Sequence, residues 1–248
     1  MCKLTKGTTK VKNFLLFFLA FCLSLQSFAM TIDSCFSAQL DLANRWVWRG
    51  VSYSEAPVIQ PSISYTTEKL NLIIWGSYPF ERRAYSEIDF TAEYQFSSVL
   101  KLGFTNYFGI NDSIGAHHNF FNFNRKSTNH LMDIYTYISP FRKIPLTFQY
   151  SLWFWGADRD VVSEKQNYSS YIEAKYEKKL ANNVNVSLFV GGTTSKGFYA
   201  SRAAIVNIGA GVSKPIKIGN LMSIPLKVEF ILNPELKNVY INAIITLK

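Results

Sequence analysis

Cysteine is almost missing from this chain of 248 residues. There are three, and Cys2 and Cys22 fall in an N-terminal segment that reads as removable. Cys35 is then left without a partner, so no intramolecular disulfide can staple the fold, and Cys-pair zinc spacing is excluded too. Histidine is as scarce, with only His117, His118 and His130. Adjacent His117 and His118 are poorly spaced for one metal, and with Asp112 they read as a solvated loop. No glycine loop cradles a phosphate, no nucleophile elbow is present, and Gly191-Gly192 reads as a strand end. No basic run occurs either. The charge of +9 falls to about +5 once Lys3, Lys6, Lys10 and Lys12 are set aside with the leader, which gives no footprint for nucleic acid. After residue 29 no apolar run is long enough for a transmembrane helix. These absences leave no expected metal, no cofactor and no nucleic-acid partner.

Residues 1–29 have the parts of a secretory signal peptide. Four lysines precede a short apolar core, Phe14 to Leu25, and Ser27-Phe28-Ala29 sets small residues at −3 and −1 of a cut before Met30. Residues 30–248 then form the mature domain.

Alternation is what the mature chain has in abundance. From Glu87 to Phe96, Ile88, Phe90, Ala92, Tyr94 and Phe96 share one parity, and Glu87, Asp89, Thr91, Glu93 and Gln95 the other. Side chains point to opposite faces along a strand, so this is a ribbon with one apolar and one charged face. The same period marks twelve segments, about 38–49, 59–66, 70–78, 87–96, 100–108, 130–139, 146–155, 168–176, 184–191, 205–213, 226–233 and 239–247. It explains how a chain that is 16% aromatic keeps a mean hydropathy of only +0.03, because polar and apolar residues interleave.

The outward parity holds almost no charge, and aromatics such as Trp46, Trp48, Tyr65, Tyr78, Tyr94 and Tyr150 gather near strand ends. Backbone inside hydrocarbon must be fully paired, so such strands must close on themselves. The expected fold is all-β, a transmembrane antiparallel up-and-down β-barrel of twelve strands. Short turns such as 67–69 and 97–99 are expected at the periplasmic end, and the longest connections, 109–129 and 156–167, outside. The inner turn from Lys214 to Ile224 is long for that rule. A bulge at Pro61 or near Asn44 would flip part of the parity assignment.

The stretch Arg45-Trp46-Val47-Trp48-Arg49-Gly50-Val51-Ser52-Tyr53-Ser54 is followed by Pro57-Val58-Ile59-Gln60-Pro61-Ser62. With Trp75-Gly76-Ser77 and Glu87-Ile88-Asp89-Phe90, it resembles the opening signature of the TorF family of outer-membrane porins. The match is clearest from Arg45 to Tyr94, and Pro61 stands where that family commonly has glycine. The resemblance implies a small outer-membrane barrel of a Gram-negative cell that conducts solutes. Its partners would be outer-membrane lipid and lipopolysaccharide, small solutes and the barrel-assembly machinery.

The luminal parity carries Asp41, Arg45, Arg49, Glu87, Asp89, Glu93, Lys101, Asp133, Glu173, Lys175, Lys227 and Glu229, with the rings of Trp75, Trp153 and Trp155. Of these, Arg45, Arg49, Glu87, Asp89, Glu93, Asp133, Glu173, Trp75, Trp153 and Trp155 are the expected pore-lining residues. Arginines facing Asp89 and Glu93 could make a constriction with a transverse field, or the set could be ion pairs filling a narrow barrel. The rings would narrow the bore further. The function expected is a small porin for passive diffusion of small polar solutes, without enzymatic activity. A closed barrel whose external loops bind a ligand or surface is the main alternative, with Phe120, Phe121 and Phe123 as its contacts. A lipid-modifying enzyme built on outward His130 and nearby Ser127 is the remaining one, although no acid stands near them in the pattern.

Overall fold

The computed structural model describes residues 35–81, 84–111, 118–218 and 222–247. The expected signal peptide lies outside the described residues, as do Asp112 and His117. The chain begins with β1 (Phe36–Ala43), β2 (Trp46–Trp48), β3 (Val51–Ser54), β4 (Val58–Thr66) and β5 (Leu70–Pro79). Next come β6 (Tyr85–Gln95), β7 (Leu100–Asn111), β8 (His130–Ile138), β9 (Leu146–Gly156) and β10 (Ser170–Lys179). The last four are β11 (Asn185–Thr193), β12 (Ala204–Ile218), β13 (Met222–Asn233) and β14 (Asn238–Leu247). Twelve of these close into one barrel, ordered β1-β14-β13-β12-β11-β10-β9-β8-β7-β6-β5-β4, and every pairing with a known register is antiparallel. β2 and β3 stand apart as a two-stranded sheet.

The distribution of side chains is inside out relative to a soluble protein. Ile63, Ile74, Phe90, Ile134, Leu188, Phe230 and Ile241 are exposed on the outer face, while Ser77, Thr105, Asp133, Ser151, Asn207 and Asn242 are buried. Water would penalise that outer face, and lipid does not, so this is the arrangement of a barrel that spans a bilayer. Ile74→Arg should therefore lower the unfolding free energy in lipid vesicles by about 2–4 kcal/mol if it lies near the midplane. Ser64→Arg, on the opposite parity, should cost far less. Equal costs in a urea titration would overturn the assignment of faces.

Pro61 does not flip the parity. Val58↔Pro79, Ile59↔Tyr78 and Ser62↔Trp75 keep one register on both sides of it, and Pro61 itself is exposed on the outer face. The long inner turn from Lys214 to Ile224 is not there. β12 and β13 extend through it, with Pro215 opposite Pro225 and Ile218 opposite Met222. The connections 44–57, 112–129, 157–169 and 194–203 all leave from one end of the barrel, and 67–69, 96–99 and 180–184 from the other.

Candidate functional site inside the barrel

The first expected strand, 38–49, is cut short because the chain leaves the wall at Asn44. The Asn44 backbone N–H donates to the Ala243 carbonyl (3.1 Å), its Oδ1 accepts from the Ala243 N–H (2.7 Å), and its Nδ2 donates to the Ile241 carbonyl (3.2 Å). An amide side chain thus substitutes for backbone at the end of the β1–β14 ladder, and the main chain turns into the lumen. Arg45 and Glu55 then tie the two legs together at 2.7 Å. Between them β2 and β3 pair as Val47↔Ser52 and Trp48↔Val51, with a bulge after Trp46. Arg49 (φ 50°) and Gly50 (φ 76°) make the turn, and two successive left-handed residues are what a tight two-residue hairpin requires.

The hairpin is gripped at tip and root. Arg49 Nη1 donates to the Tyr199 hydroxyl (2.8 Å) and Nη2 lies 3.4 Å from Asp133 Oδ2. Its guanidinium sits over the rings of Trp48 (4.2 Å) and Tyr171 (4.7 Å). Asn233 Nδ2 donates to the Gly50 carbonyl at 2.9 Å. At the root Trp46 stacks on Tyr53 (4.7 Å between centroids) and packs against Trp75 and Tyr85. The ribbon therefore reaches from β5 and β6 on one side to β8, β10 and β13 on the other. Burial pushes the Tyr199 phenol well up, so it stays neutral and accepts from Arg49.

Cavities lie on both sides of this crossbar. The one at the loop end measures about 460 Å³, with Trp48, Tyr53, Tyr107, Trp153 and Phe198 among its walls and Glu87 beside them. Below the hairpin a space of about 130 Å³ touches Val47, Gly50, Glu173 and Lys175. A further space of about 310 Å³ shares Glu173 and Lys175 and runs past Tyr137 and Lys101. The upper rim is laced: Asp158 accepts from the Ser169 N–H and hydroxyl (both 2.8 Å), and Ser169 Oγ accepts from the Phe198 N–H (2.7 Å). On the exposed loop, hydrogen bonds from the Ser163 N–H and hydroxyl, then from Lys196 and the Val162 N–H, hold the Asp160 carboxyl down to about 2.

The expected pore-lining residues separate into groups. Arg49, Asp133 and Trp153 meet at the hairpin tip, where buried Asp133 also accepts from Ser151 (2.7 Å) and Tyr107 (3.1 Å). Trp75 lies at the root. Glu87 and Asp89 stand side by side on β6, with the Tyr85 hydroxyl donating to Glu87. Glu93 is lower, with Lys101 at 3.0 Å and the Tyr135 hydroxyl at 3.2 Å. Glu173 accepts from Tyr171 (2.5 Å) and Asn207 (3.1 Å).

Three expectations need correction. Trp46 and Trp48 are not an outer girdle, because their segment is the luminal hairpin. Arg45 and Arg49 pair with Glu55 and Asp133 rather than facing Asp89 and Glu93. Trp155 does not line the lumen: Trp153 pairs with Asp133, but after a bulge at Phe154 Trp155 pairs with Met132 and shares its outer face. Tyr199 and Phe198 went unnoticed in the sequence, since no local period marks a loop residue that reaches a partner 150 positions away, and Asn233 at the end of β13 carries no local sign of its bond to Gly50.

His130 is fully buried although its parity points outward. The connection before β8 folds down over the outer wall: Phe123 stacks on the imidazole at 4.6 Å, and the Phe120 carbonyl lies 2.6 Å from Nε2. Asn106 engages Nδ1, and Ser127 is bonded to Asn122 instead. The Ser–His pair of the lipid-enzyme alternative is thus not assembled, while Phe121 and Phe123 remain exposed.

No family model and no curated protein matches the chain in sequence. Among solved structures, one from a study of the in-meso crystallization of membrane proteins is similar over 85% of this chain and 81% of that one, with a TM-score of 0.47 and 10% identity. A variant of OccD1 (OprD) matches over 86% of this chain and 65% of its own, with a TM-score of 0.35 and 10% identity. OprD of Pseudomonas aeruginosa gives the same TM-score and identity, over 86% and 66%. This chain spans just under two thirds of those two OprD chains.

Proposed function

We propose that this is an exported outer-membrane barrel of a Gram-negative cell, akin to the TorF porins, that passes small polar solutes through a constriction made by its own hairpin. The observation that carries the reading is the β2–β3 ribbon pinned across the bore by Arg49, Asp133, Tyr199 and Asn233. The residues of the TorF resemblance, Arg45 to Ser54, are those of this hairpin and its legs. A ribbon of indoles and phenols leaves room for small solutes only, and below it Lys101, Glu93, Glu173 and Lys175 offer both signs of charge. Lipid and lipopolysaccharide would meet the apolar outer face, and the barrel-assembly machinery would insert it.

Single-channel recording of the refolded mature protein in a planar bilayer tests this reading. The expected result is discrete steps well below those of an open porin of equal strand number. A folded barrel that never conducts overturns the channel, and wide-pore steps overturn the constriction.

A further inference from the structure

We infer that the cavity at the loop end recognises an organic ammonium ion bearing an apolar or aromatic group. The inference rests on the channel reading only in that such a solute would meet this cavity before the hairpin. Its volume of about 460 Å³ falls among ligand pockets, which run from about 300 to 1,000 Å³. The rings of Trp48, Tyr53, Tyr107, Trp153 and Phe198 line it beside Glu87, and aromatic rings attract cations through their quadrupoles.

The charge balance points the same way. Asp133 has Arg49, Glu93 has Lys101, and Glu229 has Lys227 at 2.6 Å, whereas Asp158 and Glu173 stand apart from other acids and are answered by neutral donors. Glu87 and Asp89 are both more than nine-tenths buried, and among the described residues neither has a cation. Asp89 Oδ1 has no hydrogen-bond partner among the described residues. Neighbouring buried carboxylates without a counter-ion are costly, and an arriving cation removes that cost. Trp153 adds an unpartnered indole N–H on the same cavity wall, a donor for a hydroxyl or carbonyl on the guest.

The bases at the rim are already committed. Lys196 pairs with Asp160 at 3.3 Å, and Arg159 donates to the carbonyls of Arg125 (2.8 Å) and Glu164 (2.5 Å). A metal ion fits less well, since hard cations want six to eight oxygens and the described residues bring no three His, Cys, Asp or Glu side chains together to hold one.

The probe is phenyltrimethylammonium, titrated into the refolded mature barrel in detergent micelles, with tryptophan fluorescence reading the walls at Trp48 and Trp153. Saturable quenching is expected, at least about tenfold weaker with benzyl alcohol and absent with benzoate. Glu87→Gln should weaken the cation by about tenfold in a barrel that still shows heat-modifiable gel migration. Tyr53→Leu, on the hairpin and off the barrel wall, should weaken it too. Equal binding of the alcohol, no saturation, or unchanged binding in either folded variant overturns the inference. Binding in micelles needs no conduction, so a silent bilayer would sink the channel reading and leave this one standing.

Discussion

Gly50→Val is expected to raise single-channel conductance several-fold while the twelve-stranded wall stays folded. A Cβ on Gly50 would lie 1.9 Å from the Val206 carbonyl oxygen and 2.9 Å from its carbon. Those atoms are backbone of a barrel strand, so they cannot step aside as a flexible side-chain end could. The position also has φ of 76°, in the left-handed region that a β-branched residue avoids. Both effects act on the hairpin, and the hairpin belongs to a separate sheet from the wall. The tip must therefore lift, which breaks the Asn233 bond to the Gly50 carbonyl and draws Arg49 away from Tyr199 and Asp133. The root, held by Trp46 against Tyr53, Trp75 and Tyr85, is not touched directly, so the bore should widen without losing the crossbar entirely. Gly50→Ala should act in the same direction and more weakly. A folded Gly50→Val barrel with wild-type conductance would mean that the hairpin does not set the constriction.

The barrel wall was legible because period-two alternation is imposed on every spanning strand by lipid outside and polar groups inside. Even Pro61 obeyed it, since a proline on the outward parity leaves the flanking register intact. The hairpin was not legible for a reason built into the same period. A ribbon folded into the lumen is also a β-structure, so Leu40, Leu42, Trp46 and Trp48 keep one parity straight across Asn44 whether the segment lies in the wall or inside it. The marks that distinguish it are local: Asn44, whose amide can finish a ladder, and Arg49-Gly50, a pair suited to a two-residue turn. Trp155 fell on the wrong face because a single bulge inverts parity, and only Gly156 (φ 97°) hints at one. The carboxylates of the candidate site were visible as charges on one face. Which base answers which acid depends on the hairpin's path, and pattern alone does not contain that path.

Asp133→Leu should be the most damaging single substitution inside the barrel, costing about 3–5 kcal/mol in urea unfolding from micelles. It strands the Arg49 guanidinium, which is buried among Trp48, Tyr171 and Tyr199 and has no other ion pair among the described residues. Ser151 and Tyr107 lose their acceptor as well, and buried unpaired donors cost about 1–3 kcal/mol each. Arg49→Met should be milder, because Asp133 keeps its two hydroxyl donors at 2.7 and 3.1 Å and loses only the 3.4 Å contact. The double variant should be more stable than Asp133→Leu alone, since replacing both members of a buried ion pair removes the uncompensated charge. That ordering separates two accounts of Asp133. If it pins the hairpin through Arg49, the double-mutant cycle shows coupling well beyond experimental error. If the two costs simply add, Asp133 is a wall residue satisfied by Ser151 and Tyr107. The hairpin would then be held by Tyr199, Asn233 and its own aromatic root.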